Sequence, residues 1–280
     1  MSDIAWLSED IGVDGIERSF TLSRGSGAVP GVLWSPRDTG LATNTGLAGN
    51  TGLAGNTGLA GTVLLCHGGS GHKRSERIRR IGRWLAATAG LAVIAVDGPY
   101  HGDRVPAPLD AAVYQPLIAA EGIERVTARM TADWLDTLSA LADQGLADGA
   151  RVSVFGMSMG ARFGLPVAAA LGSRLRCAVF GKFGLRQAAA MPAGLGAPGL
   201  LTAAAHAVTA PLLYHVQWDD ALFPRDGQFE LFEAFASVDK QLVARPGPHT
   251  ETHPAAEASW QEFIGRNAAG HGERRGDEAP

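Results

Sequence analysis

The chain has 280 residues, of which 46% are hydrophobic and 19% charged, and its formal net charge is −4 at pH 7. This composition excludes a chain that is disordered throughout, which would require low hydrophobicity and high net charge. The mild negative charge offers no basic footprint for nucleic acid. No run of about 18 apolar residues predicts a membrane span, and no basic segment followed by an apolar one opens the chain. A cytoplasmic protein is therefore expected.

Glycine is the unusual residue, with 37 copies, or about twice the usual share of ~7%. Part of the excess lies in residues 39–62, where four hexapeptide units repeat the pattern TGLAGN. A β-solenoid needs several hexads in each coil and at least three stacked units to bury a core. The repeat is therefore predicted to be a flexible surface loop between two strands. The polar residues 270–280 are predicted to form a disordered tail.

Short apolar runs alternate with helical periodicity outside those two stretches. The predicted strands are Arg18–Ser23, Val29–Ser35, Thr62–Cys66, Leu91–Val96, Arg151–Phe155, Leu175–Phe180, Pro211–Val216 and Gln241–Ala244. Several are continuous apolar runs, which are typical of strands buried on both faces. Alternation of strands and helices from residue 62 to 267 predicts a mostly parallel, eight-stranded sheet flanked by helices. Residues 1–269 are thus expected to form a single domain with a three-layer α/β/α fold.

Residues 184–210 interrupt this alternation. The segment is rich in Ala, Gly, Leu and Pro, and its ionisable side chains are Arg186 and His206. Two interpretations stay open: a helix packed on the sheet, or a small apolar lid over a site.

The strongest local motif is Gly156-Met157-Ser158-Met159-Gly160, which lies between a predicted strand and a predicted helix. In that context a G-x-S-x-G pentapeptide predicts a nucleophile elbow, a sharp turn that raises the serine above the backbone. The serine would also lie at a helix N-terminus, where free N–H groups favour developing negative charge. Its alternative role is that of a helix cap.

With this motif the chain resembles the α/β-hydrolases, and among them the small dienelactone-hydrolase-like serine esterases, over about residues 15–267. The resemblance implies the chain order nucleophile, acid, histidine. True dienelactone hydrolases use a cysteine nucleophile, so their substrate is not carried over. Pro166 is a second departure, because it is predicted to kink or shorten the helix that follows Ser158.

The acid and the histidine are sought after the last two predicted strands. Asp219 and Asp220 follow the strand Pro211–Val216, and the family's D-x-x-[VF]-P arrangement coincides with Asp220. Asp219 stays open as the alternative. The resemblance places the general base at His249, directly after a Gly-Pro turn, whereas His253 is expected at the surface.

A glycine-rich loop, His67-Gly68-Gly69-Ser70-Gly71, follows the strand Thr62–Cys66. It resembles the H-G-G loops that supply one backbone donor of an oxyanion hole, and the resemblance assigns that donor to Gly69. The second donor would be the amide of Met159, directly after the nucleophile. His67 is expected to be structural. No ligand spacing supports a metal site, and no cofactor is expected.

Four further side chains are candidates for contact with substrate. Lys73 and Arg74 directly follow the glycine-rich loop and could steer an anionic substrate, or could belong to a solvated helix face. Tyr100 and His101 lie in the loop after the strand Leu91–Val96, which is expected to form a wall of the pocket.

These features predict a metal-independent serine hydrolase that cleaves a small-molecule carboxylic ester or thioester through an acyl-enzyme. The same triad would also suit a peptidase, an acyltransferase or a C–C bond hydrolase. A non-catalytic binding protein of the same fold is the alternative from another class. Monomer and homodimer both stay open.

Overall fold

The computed structural model describes residues 3–25, 27–37 and 58–268. Residues 39–57 of the predicted repeat loop and the predicted tail at 270–280 lie outside the described residues. The end of the repeat is described, and there Leu59 is buried and joins the main hydrophobic core.

One sheet organises the described residues. Its strands are β1 (Asp3–Gly12), β2 (Gly15–Arg24), β3 (Gly27–Ser35), β4 (Thr62–Cys66), β5 (Ala92–Val96), β6 (Val152–Met157), β7 (Leu175–Gly181), β8 (Leu212–Gln217) and β9 (Lys240–Arg245). They lie in the order β1-β2-β3-β5-β4-β6-β7-β8-β9. The six strands from β5 to β9 in this order are parallel, whereas β1, β2 and β3 pair antiparallel. The predicted mostly parallel sheet is confirmed.

The sheet has one strand more than the eight predicted. The additional strand, β1, forms the edge of the sheet and pairs with β2 through a tight hairpin. Only Ile4 of its ten residues is buried. An edge strand with so little buried surface has no need of the regular apolar alternation by which strands are predicted.

Helices cover both faces of the sheet, as predicted. They are α1 (Glu76–Ala89), α2 (Ala111–Glu121), α3 (Ile123–Asp143), α4 (Met159–Leu171), α5 (Pro198–Ala207), α6 (Arg225–Ala234) and α7 (Pro254–Ala268). Buried side chains of α1 and α7 share one core with the sheet, and those of α2 to α6 share a second core on the opposite face. The three-layer α/β/α fold is therefore confirmed.

Two segments that the sequence marked as irregular have definite structures. Helix α4 passes through Pro166 without being shortened and ends at Leu171, the end that its apolar run predicts. Within 184–210, helix α5 buries Leu201 and Ala205 and contacts α4 and α6. The residues that precede α5 do not belong to that helix, and among them Met191 and Leu195 line a cavity at the carboxyl edge of the sheet.

Candidate active site

The carboxyl ends of parallel strands meet at one edge of the sheet, and the predicted site residues lie there. Ser158 follows β6, Gly69 lies in the loop after β4, Asp220 follows β8, and His249 follows β9. Residues far apart in sequence are thereby brought together in the crevice where open α/β sheets bind ligands.

Ser158 occupies a strained turn between β6 and α4. Its φ is 58° and its ψ −121°, in the region that side-chain-bearing residues rarely adopt. Glycines on both sides make the turn feasible. A Cβ on Gly156 would lie 2.3 Å from the carbonyl oxygen of Gly160, and a Cβ on Gly160 would lie 2.3 Å from that of Cys66. The two glycines of the motif are therefore needed because the backbone segments around the turn pass too close together for any side chain.

A continuous hydrogen-bond chain joins Ser158, His249 and Asp220. The serine Oγ lies 2.9 Å from Nε2 of His249, and Nδ1 of the same ring lies 2.7 Å from Oδ2 of Asp220. The other carboxylate oxygen of Asp220 accepts the backbone N–H groups of Leu222 and Phe223 at 2.8 and 2.9 Å. The Asp220 side chain is fully buried, and that of His249 is 16% exposed. The carboxylate is therefore fixed, and the imidazole can reach both the serine and the cavity.

Asp219, the alternative acid, has a different position. Its Oδ2 accepts the backbone N–H of Gly247 at 2.8 Å, and its own N–H donates to the carbonyl of Gly247 at 3.2 Å. Asp219 is exposed and holds the turn that precedes His249. The two neighbouring acids therefore make different contacts, one to the imidazole and one to the backbone.

The glycine-rich loop faces Ser158 across the cavity. Gly69 and Met159, the two predicted oxyanion donors, both line the cavity with the serine. Nε2 of His101 lies 2.9 Å from the carbonyl oxygen of Gly69, and Nδ1 lies 2.7 Å from that of Pro99. His101 lines the cavity too, and its contacts fix the orientation of the Gly69 peptide.

The other three predicted substrate contacts lie away from the cavity lining. The ammonium of Lys73 is buried between Asp97 at 2.5 Å and Asp103 at 2.6 Å. Nε of Arg74 lies 3.7 Å from Glu17 of β2.

The Tyr100 hydroxyl donates to Glu121 at 2.9 Å. Carboxylates bind the polar groups of Lys73 and Tyr100, whereas Nε of Arg74 has no hydrogen-bond partner among the described residues. Substrate contact by these three residues therefore stays a prediction that their positions do not favour. Adjacency in sequence to a site loop did not predict the direction of the side chain.

His67 has a structural position, as expected. Its Nε2 accepts the backbone N–H of Gly98 at 2.7 Å, and its Nδ1 contacts the carbonyl of Gly68 at 2.8 Å. Burial, together with the neighbouring His101, lowers the pKa of His67 to about 4. In residues 3–25, 27–37 and 58–268, no group of three His, Cys, Asp or Glu side chains is arranged to hold a metal ion.

The cavity above Ser158 has a volume of about 580 Å³. Its wall is largely apolar and includes Leu109, Ile118, Met191, Leu195, Leu222 and Phe223. Such a wall can surround a small organic group while the polar atoms around Ser158 orient it.

Sequence reasoning missed several polar residues that line the cavity, among them Tyr114, Arg162 and Lys182. Arg162 is buried four residues after the serine, donates to the Leu195 carbonyl and lies over the Phe183 ring. Burial lowers the pKa of Arg162 to about 10. An available signal was that Arg162 is the one charged residue of the apolar run Met159–Leu171. Lys182 likewise directly follows a buried strand.

A known protein family matches most of this chain. The model of the dienelactone hydrolase family matches residues 53–262, three quarters of the chain. The chain belongs to the dienelactone hydrolase family. The match spans the glycine-rich loop, the elbow and the Asp220 and His249 positions of this family member. A search of curated proteins gives no match.

Solved structures agree with this assignment. A cold-adapted esterase from an Arctic intertidal metagenomic library, in its PEG-bound complex, is 28% identical with a TM-score of 0.73, covering 94% of this chain and 99% of that one. An acetyl xylan esterase from Paenibacillus sp. R4 is 17% identical, with a TM-score of 0.67 and coverage of 95% and 89%. The dienelactone hydrolase from Anabaena variabilis is 21% identical, with a TM-score of 0.58 and coverage of 91% and 97%. The latter two support the fold alone.

Family membership and the esterase neighbour support a hydrolase that acts on ester bonds. No helix in the described part of this family member is long and apolar enough to cross a membrane.

Proposed function

We propose that this family member is a serine hydrolase that cleaves small carboxylic esters or thioesters through an acyl-enzyme. The observation that carries the proposal is the hydrogen-bond chain from Ser158 through His249 to Asp220, with distances of 2.9 and 2.7 Å. A base within about 3 Å of the hydroxyl can take its proton as the oxygen attacks a carbonyl. The esterase activity in the neighbour's name supports the same class of reaction.

In the proposed reaction, Oγ of Ser158 bonds to the carbonyl carbon while its proton passes to Nε2 of His249. The tetrahedral oxyanion would accept hydrogen bonds from the amides of Gly69 and Met159. The imidazolium then returns the proton to the leaving alkoxide or thiolate, which departs as the alcohol or thiol. Water, deprotonated by His249, then attacks the acyl carbon. The bond from that carbon to Oγ of Ser158 breaks, the imidazolium returns its proton to Oγ, and the acid is released. Asp220 stabilises the imidazolium without taking its proton.

The surroundings of Asp220 support this role. Two backbone N–H groups donate hydrogen bonds to Oδ1 of its carboxylate. The other oxygen, Oδ2, accepts the Nδ1–H of His249. This contact selects the tautomer with an unprotonated Nε2, the form that accepts the serine proton.

A fluorophosphonate probe tests the proposal, because it labels activated serines. Wild-type protein should be labelled and should hydrolyse p-nitrophenyl esters or acyl thioesters, and Ser158→Ala should do neither. Absence of both labelling and hydrolysis in folded wild-type protein would overturn the proposed class. Labelling that persists in Ser158→Ala would overturn the assignment of the nucleophile.

A further inference from the structure

Lys182 is a buried lysine beside the proposed catalytic groups, and the mechanism above gives it no role. It directly follows β7, is 2% exposed and lines the same cavity as Ser158 and His249. Its φ is 49°, in the left-handed region that favours glycine. A long cationic side chain therefore occupies a position where both the backbone and the burial disfavour it.

The ammonium of Lys182 makes three contacts with the loop that carries His249. It donates to the carbonyl oxygen of His249 at 3.1 Å, to Oγ1 of Thr252 at 3.0 Å, and to the carbonyl oxygen of Glu251. An ammonium has three N–H donors. All three N–H donors of Lys182 are therefore bound by residues 249 to 252, the segment that begins at His249.

The other end of Lys182 is anchored next to the nucleophile. The carbonyl of the preceding residue, Gly181, accepts the backbone N–H of Ser158 at 2.9 Å. The backbone N–H of Lys182 itself donates to the carbonyl of His215 in β8 at 2.9 Å. One residue thus connects the strand beside the serine to the loop that bears the histidine.

On the other side of His249 the loop is held separately. The side-chain amide of Gln217 donates to the carbonyls of Pro246 and Gly247 at 2.9 and 2.8 Å, and Asp219 accepts the Gly247 N–H. These contacts hold the turn before the histidine. Lys182 supplies the contacts at the histidine and after it.

We propose that Lys182 is a positioning residue for the hydrolytic reaction, which holds the His249 loop so that Nε2 stays within reach of the Ser158 hydroxyl. The inference rests on the proposed function. Small displacements of a catalytic group suffice to reduce rates, since a misplacement of about 1 Å can cost about 100-fold. The effect should fall on kcat, because the ammonium acts on the base and not on the substrate.

The charges around Lys182 make this contact sensitive to pH. Burial and the charge of Arg77 on α1 lower the pKa of Lys182 to about 8, and Asp220 and Glu251 oppose that shift. His215 of β8, whose pKa the charge of Lys182 helps to lower, Arg245 of β9 and His249 are further ionisable residues on the neighbouring elements. Above about pH 8 the ammonium becomes an amine with two donors, so one of the three contacts is lost.

Lys182→Met tests the proposal, because methionine keeps the aliphatic stem and removes the donors. Its matched control is Lys240→Met. Lys240 also donates to three backbone carbonyls, those of Phe232, Glu233 and Phe235 at 2.9–3.1 Å, at the opposite end of the sheet. Lys182→Met should lower kcat about 10- to 100-fold with KM within about twofold of wild type. Lys240→Met should keep kcat within about twofold.

The pH profile separates positioning from general stability. Wild-type kcat should decline above about pH 8, and the part of that decline due to Lys182 should be absent in Lys182→Met. Hydrogen–deuterium exchange of the peptide 246–254 in Ser158→Ala gives a readout independent of activity. Exchange there, corrected for the intrinsic rate, should increase between pH 7 and pH 9.

Equal kcat in Lys182→Met and wild type would overturn the proposal, as would an unchanged alkaline decline. If Lys182→Met does not fold, Thr252→Val removes one acceptor and should lower kcat about two- to fivefold at constant KM. An unchanged kcat in that variant, with exchange at 246–254 insensitive to pH, would overturn it equally. Loss of the proposed function itself is distinguishable, because wild type would then neither hydrolyse esters nor be labelled.

Discussion

A Cβ atom on Gly69 would lie 2.2 Å from the hydroxyl oxygen of Tyr114. The Tyr114 side chain of helix α2 thus lies so close to Gly69 that a methyl group there would require the tyrosine or the loop to shift. The ring of Tyr114 also packs edge-on against His101, with centroids 4.4 Å apart. Gly69 is therefore required by a tertiary contact, in addition to any need for a carbonyl to approach its amide.

Gly69→Ala should therefore displace the loop and lower kcat/KM about 100- to 1,000-fold, the usual cost of losing one oxyanion donor. Gly68→Ala is the matched control, because its Cβ would meet only the Met157 carbonyl oxygen, at 3.5 Å. It should stay within about threefold of wild type. Adding Tyr114→Phe to Gly69→Ala removes the colliding oxygen and should restore part of the loss in ester hydrolysis assays. No recovery in the double variant would contradict this explanation.

The two neighbouring acids should differ sharply in their effect on rate. Asp220→Asn replaces an acceptor by an amide and disfavours the tautomer in which Nε2 of His249 is free, so kcat should fall about 10³- to 10⁴-fold. Asp219→Asn keeps an oxygen that can accept the Gly247 N–H and should change kcat less than about fivefold. Steady-state kinetics of both variants decide, and similar losses in the two would refute the assignment of Asp220.

The glycines flanking Ser158 should be essential for stability. Gly156→Ala would place a methyl group 2.3 Å from the main-chain oxygen of Gly160. Neither backbone can yield without deforming β6 or α4, so the free energy of unfolding should fall by about 3 kcal/mol or more. Gly199→Ala in α5 is the control, since its Cβ would meet nothing within 4 Å. It should stabilise the protein by up to about 1 kcal/mol. Urea unfolding measures the free energy of unfolding of both variants, and equal changes in the two would contradict the steric explanation for Gly156.

Lys73 should matter for stability rather than for substrate binding. Lys73→Met would leave the fully buried carboxylate of Asp97 without its cation. Removal of one partner of a buried pair typically costs about 3–5 kcal/mol. We expect that loss in urea unfolding, with KM for esters unchanged at temperatures where the variant is folded. A raised KM with unaltered stability would instead support the expectation that Lys73 contacts substrate.

Acid should destabilise the fold through two buried histidines. Burial is the main cause that lowers the pKa of both His67 and His215 to about 4, whereas an unfolded histidine titrates near 6.5. Between pH 6.5 and 4, the two histidines bind protons in the unfolded chain but stay neutral in the native state. The free energy of unfolding should therefore fall between pH 6.5 and 4, by up to about 3 kcal/mol for each histidine.

The ring of His215 packs edge-on against that of Trp260, with ring centroids 5.3 Å apart. His215→Phe keeps an aromatic ring in that position. The variant should lose less stability than wild type between pH 6.5 and 4. Urea unfolding at pH 7, 5.5 and 4.5 measures the difference. Parallel pH dependence in the two proteins would show that His215 does not contribute.

Local patterns were sufficient to predict much of this protein. The apolar runs predicted eight of the nine strands. The motif around Ser158 predicted the turn between β6 and α4. Each of these features depends on residues within a few positions of one another, so the local sequence encodes it.

From the sequence alone, strands were also predicted before Ser158, Asp220 and His249, and the family resemblance implied the order of these proposed catalytic groups. Only the tertiary structure decided which way other side chains point. Lys73 turns from the cavity towards Asp97, whereas Lys182 and Tyr114, on other elements, turn into it. The physical reason is that a buried charge or hydroxyl lies where distant elements supply its hydrogen-bond partners, and those partners are fixed only when the sheet and its helices pack.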